Sequence, residues 1–99
     1  MSVARHFIMQ AGTGKAAALE TALRELADKL RRIPGCDDVE VLREHGNQGR
    51  FVLREKWASI EAHQQGSRCL GEQDLAPMLS ALDALPADND VYFDYLETH

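Results

Sequence analysis

Leu19, Leu23, Leu26, Leu30 and Ile33 recur at steps of four, three, four and three, a spacing that puts them on one stripe of an α-helix. Glu20, Arg24, Asp28 and Arg31 fall off the stripe and are free to face water. Thr13 is placed to cap the start, and Pro34-Gly35 ends the run. A helix apolar on one side must bury that side against another element. The flanking segments therefore decide the fold.

Those segments read as strands. Val3 to Gln10 is short, apolar-rich and followed by "AGTG". From Asp38 to Glu44, Val39, Val41 and Arg43 alternate with Glu40, Leu42 and Glu44. His45 to Gly49, "HGNQG", is a hairpin connection, and Phe51 to Trp57 is the returning strand. Ser59 is placed to cap a short helix with Glu61 in its first turn, and Gly66 ends or bends it. A further helix carries Leu75, Met78, Leu79, Leu82 and Leu85, with Pro77 expected near its first turn and Pro86 as its stop. "ADND" at 87–90 forms the last turn before a final strand, Val91 to Leu96.

This order predicts one α+β domain over residues 1–99: a ferredoxin-like, four-stranded antiparallel sheet with helices on one face. Several strands are apolar on both sides. Helices cover one side, so the other is expected to meet a second subunit in a homodimer, with Tyr92, Phe93 and Tyr95 near the interface.

Charge and composition remove several functions. The net charge of −5, from 16 acidic and 11 basic residues with the basic ones scattered, disfavours a nucleic-acid partner. No apolar stretch approaches the roughly 20 residues that span a bilayer, and "MSVARHFIMQ" has no signal-peptide pattern. No membrane association and a cytoplasmic location are expected. Cys36 and Cys69 match no metal-ligand spacing and read as reduced thiols. No metal site is expected, and "AGTGK" lacks the spacing of a phosphate-binding P-loop.

The chemistry-bearing residues concentrate in "RFVLREKWASIEAH", Arg50 to His63. Phe51, Leu53, Glu55 and Trp57 share one side of a strand, because side chains alternate with period two. An acid beside an indole there suits a pocket; it also suits a core-edge tryptophan with the acid paired to an arginine. His63 lies one helical turn beyond Ser59, and an imidazole is a base at neutral pH. His6 alternates with Phe7 on the first strand and faces away from it. His45 and His99 read as solvent groups.

The order of elements and three short motifs together resemble the antibiotic biosynthesis monooxygenase (ABM) family across nearly the whole chain. The motifs are Gly14-Lys15 opening the long helix, "PGC" from Pro34 to Cys36, and "FVLREKWASIEAH". The resemblance implies a dimeric α+β barrel, with two ferredoxin-like sheets face to face. It implies a dry pocket between sheet and helices, in which a small aromatic or quinol-like substrate reacts with O₂ and no cofactor takes part. It assigns Trp57 to lining the pocket, His63 or His6 to proton abstraction, and Glu55 to orienting a neighbour. Phe7, Leu75 and Met78 are the expected apolar contacts of the substrate. Many members carry a histidine about nine residues after the tryptophan, where this chain has Gly66. Haem-degrading members use a first-strand asparagine where this chain has His6 and Phe7, so haem degradation is not expected. A non-catalytic small-molecule-binding or stress-response module and an isomerase are the competing readings for the same fold.

Overall fold

The computed structural model describes residues 1–86 and 91–97; the turn expected at 87–90 and His99 lie outside them. Its elements run β1 (Val3–Gln10), α1 (Ala16–Arg31), β2 (Cys36–Arg43), β3 (Arg50–Trp57), α2 (Ile60–Ser67), α3 (Glu72–Ala81) and β4 (Phe93–Asp94). The strands form one antiparallel sheet in the order β2-β3-β1-β4. This is the ferredoxin-like α+β arrangement expected from the order of elements. The α1 stripe packs as its spacing dictates: Leu19, Leu23, Leu26 and Leu30 are all buried.

Cross-strand register sets what each face carries. On the helix face, Phe7 lies opposite Leu53 and Leu53 opposite Val41; Arg5 lies opposite Glu55 and Glu55 opposite Val39; Val3 lies opposite Trp57. On the outer face, Ile8, Val52 and Leu42 form one row and His6, Arg54 and Glu40 the next. Each core-facing row thus has an outward counterpart one residue away.

Four local expectations change. Thr13 does not cap α1, because the tight turn through Gly14 (φ 73°) closes on the Gly12 carbonyl and makes Lys15 the cap residue, with no side-chain bond. α3 begins at Glu72, where the Asp74 carboxylate accepts the Gly71 N–H at 2.8 Å. Pro77 therefore falls in the second turn, where it removes one helical hydrogen bond. α3 also stops at Ala81 rather than Leu85, since Leu82 turns extended and bridges Ala11 at the end of β1. The fourth strand is shorter than Val91–Leu96, with Phe93 and Asp94 alone paired to β1. Tyr92 points inward, opposite in parity to Phe93, which stays on the outer face against His6, while Tyr95 lies under the Lys56 ammonium.

The Ser59 cap is as expected: its hydroxyl accepts the Ala62 N–H at 3.0 Å and starts α2 directly after β3. Gly66 falls in the last turn of that helix, which ends at Ser67. It is buried within it, and a Cβ there would lie 2.6 Å from Trp57 Cζ3 and 2.8 Å from Ile33 Cγ2. A histidine at this position would demand a different seat for the indole. Helix propensity alone favours Gly66→Ala by up to about 1 kcal/mol. Overpacking reverses the sign, and chemical denaturation should show Gly66→Ala destabilising by about 1–3 kcal/mol. Gly12→Ala, whose Cβ meets nothing nearer than 3.5 Å, should shift stability by less than about 1 kcal/mol.

Candidate active site

Alternation along β3 sends Glu55 and Trp57 to the helix face together, one pleat apart. Trp57 is fully buried, and its indole N–H donates to Glu55 Oε1 at 2.8 Å. Burial pushes the Glu55 carboxyl above its ordinary range, while the indole donor and the Arg5 charge pull it down. Glu55 thus orients Trp57. It makes no hydrogen bond to His63, the contact that would have fixed the imidazole tautomer.

That contact comes from the C-terminal segment instead. His63 stands in the first turn of α2, edge-on to the indole at 5.3 Å between ring centres. Its Nδ1 lies 2.6 Å from the Tyr92 hydroxyl. Burial, and then the Arg5 guanidinium, hold His63 below the ordinary histidine range, so it is neutral at neutral pH. The Arg5 guanidinium sits over the Phe7 ring at 5.1 Å and the Tyr92 ring at 4.9 Å.

These groups adjoin a cavity of about 260 Å³ between the sheet, α1, α2 and α3. Phe7, Met9, Leu26, Leu30, Leu53, Leu70, Leu75 and Met78 give it apolar walls; Glu55, Trp57, His63 and Ser67 bring its polar groups, and Leu79, Leu85 and Pro86 complete it. Of the residues singled out from the sequence, Trp57, His63, Glu55, Phe7, Leu75 and Met78 meet here. His6 does not. It is exposed on the outer face, stacked on Phe93 at 5.0 Å, with the sheet between it and the cavity. Arg5 and Tyr92 were missed as site residues. Arg5 had a readable signal, since it shares its side of β1 with Val3, Phe7 and Met9. Tyr92 alternates with outward-facing Phe93 and so faces the helix side, but its contact with His63 joins residues far apart in sequence.

A larger depression of about 540 Å³ lies between α1 and β2. Its charges already satisfy one another, with Arg24 and Arg43 on Glu20 and Arg31 on Asp28. The smaller apolar cavity is the better site for chemistry. Among the described residues no group of His, Cys, Asp and Glu is arranged to hold a metal ion, and no helix is long and apolar enough to cross a membrane. Cys36 and Cys69 are free thiols. Burial and then the Glu55 charge push the Cys36 thiol up to about 11, which keeps it unreactive.

Residues 2–67, from β1 through α2, match the family model for antibiotic biosynthesis monooxygenase. The chain belongs to this family. A search of the curated proteins finds no match. Among solved structures, a Nitrosomonas europaea protein described as a "putative antibiotic biosynthesis monooxygenase" superposes with a TM-score of 0.82 at 18% identity, covering 98% of this chain and 100% of its own. SnoaB, a cofactor-independent oxygenase from Streptomyces nogalater, superposes at 0.78 with 17% identity, over 98% and 95%. Rv0793 from Mycobacterium tuberculosis gives 0.78 at 18%, over 99% and 98%. At these identities the likeness is one of fold. The matched span of this ABM member holds Arg5, Glu55, Trp57 and His63, whereas Tyr92 lies beyond it.

The Glu55–Trp57 bond makes a stability prediction for this ABM domain. Glu55→Ala strands a buried indole N–H and should cost about 1–3 kcal/mol by denaturation, while Glu55→Gln keeps an acceptor and should cost less. The folded-state pKa of Glu55 is raised, so the folded protein holds its proton to higher pH than the unfolded chain. Wild-type stability should therefore fall relative to Glu55→Gln as pH rises from 4.5 through the folded-state value.

Proposed function

We propose that this chain is a cofactor-independent monooxygenase acting on a small aromatic with a phenolic or quinol-like hydroxyl. One observation carries the reading: a neutral imidazole, held by Tyr92 at 2.6 Å and edged by an indole, borders a mainly apolar cavity. With Nδ1–H donated to the Tyr92 oxygen, Nε2 keeps the lone pair that takes the phenolic proton. The resulting phenolate is rich in electrons and reduces O₂ directly. One oxygen atom joins the ring carbon as a carbonyl and the other leaves as water. Phenol plus O₂ thus balances to quinone plus water, the substrate supplying all four electrons, so neither flavin nor haem nor metal is needed. Trp57 and the leucines keep bulk water from the intermediate, and the cavity volume suits one or two fused rings.

The active form is proposed to be a homodimer joined through the outer face. Ile8 (55% exposed), Leu42 (42%) and Phe93 (48%) stand there without cover, and the Ile8–Val52–Leu42 row crosses three strands. Ile8→Glu should convert the dimer to monomer in light scattering at micromolar concentration. A monomeric wild type would remove the proposal.

Oxygen uptake with a panel of quinols and no added cofactor is the direct test. His63→Ala should lower kcat/KM by about 10²–10⁴, and His6→Ala should leave turnover at the cavity largely unchanged. Because the His63 pKa is lowered, the acid limb of kcat/KM should fall below pH 6.5, with activity rising as pH increases through it. His63→Ala should abolish that limb. Turnover that persists under argon would point to an isomerase, and ligand stabilisation with no turnover to a binding module.

A further inference from the structure

Among the described residues Arg5 is the one buried cation, 7% exposed, and none of its guanidinium N–H groups donates to a protein acceptor. No carboxylate oxygen among the described residues lies within ion-pair distance of it. Its cross-strand partner Glu55 is committed to the Trp57 indole. What Arg5 does have is aromatic: Phe7 and Tyr92 pack on the guanidinium. Such contacts leave N–H groups that take no acceptor among the described residues available to a ligand. No side-chain nitrogen or oxygen of the described residues is at once sealed from solvent and unpaired. The Arg5 nitrogens therefore keep an opening through which an acceptor can reach them. Arg5 itself is not in the cavity wall; it stands against that wall, packed on Phe7 and opposite Glu55 in the strand register, both of which line the cavity.

We propose that Arg5 is the anion-recognition residue of this cavity, and that the ligand is an aromatic whose oxygen is anionic when bound, a phenolate or a ring carboxylate. The proposal rests on the cavity being the substrate site. A desolvated guanidinium without an acceptor is costly, and a ligand oxyanion supplies the missing charge-assisted bonds. The same charge lowers the proton affinity of His63 and would do so for a phenol bound beside it, favouring the phenolate over the phenol. Glu55 is the opposing charge at this end of the cavity; its raised pKa lets it take up a proton when an anion binds.

Calorimetric titration with 2-naphthoate and its neutral counterpart 2-naphthalenemethanol tests this at neutral pH. Wild type should bind the acid about tenfold or more tighter than the alcohol, as a charge-assisted pair requires. Arg5→Met should erase that preference while holding the alcohol within about twofold, and Arg5→Lys should keep part of it. 2-Naphthol separates the two sources: a naphtholate absorption band in the complex at neutral pH assigns the phenolate, and its absence beside tight naphthoate binding assigns the carboxylate. Equal binding of acid and alcohol by wild type, or binding of neither, overturns the proposal without any variant. Equal weakening of both probes in Arg5→Met overturns it in favour of a packing role. Anion preference with no oxygen uptake leaves Arg5 assigned and removes the oxygenase reading; oxygen uptake with no anion preference does the reverse.

Discussion

The rest of the site depends on the seat of one indole. Trp57 ends β3, is fully buried, and is held on three sides: by the Glu55 carboxylate at 2.8 Å, by the bare backbone of Gly66, and by the edge of His63. The first contact is hydrogen bonding within a strand, and the second is steric. The third brings α2 close enough for its histidine to face the cavity. Without a glycine in the last turn of α2, the helix would stand further from the sheet, and the imidazole with it.

Two buried ionisable groups face each other across β1 and β3, and they are not used as a pair. Glu55 accepts from the indole, and the Arg5 guanidinium packs on the rings of Phe7 and Tyr92. A closed salt bridge there would neutralise the end of the cavity and leave little to recognise a ligand. Held apart, the two charges bias their surroundings. Arg5 disfavours imidazolium at His63, and burial disfavours carboxylate at Glu55. The result is a neutral imidazole near a buried cation that pairs with no carboxylate of the described residues.

The sheet divides its labour by residue parity. On β1, Val3, Arg5, Phe7 and Met9 serve the core and cavity, while His6 and Ile8 face outward. His6 and His63 are therefore on opposite sides of the sheet. The parity of β1 already placed His6 opposite Phe7. What remained open was which face the helices would cover, and with it which histidine met the tryptophan.

Read from periodicity, the chain determined its helix stripe, three of its four strands, the hairpin, the Ser59 cap and the placement of Glu55 and Trp57 on one face. These depend on residues a few positions apart, whose relation is set by 3.6- and two-residue repeats. Helix and strand ends near Thr13, Pro77 and Leu82 were less legible, because backbone contacts between β1 and the end of α3 decide where the chain stops coiling. Tertiary structure alone decided that Gly66 makes room for an indole, that Tyr92 meets a histidine 29 residues earlier, and that Arg5 is buried with no acceptor among the described residues. Each is a relation between side chains distant in sequence, and local repeats carry no information about such distances.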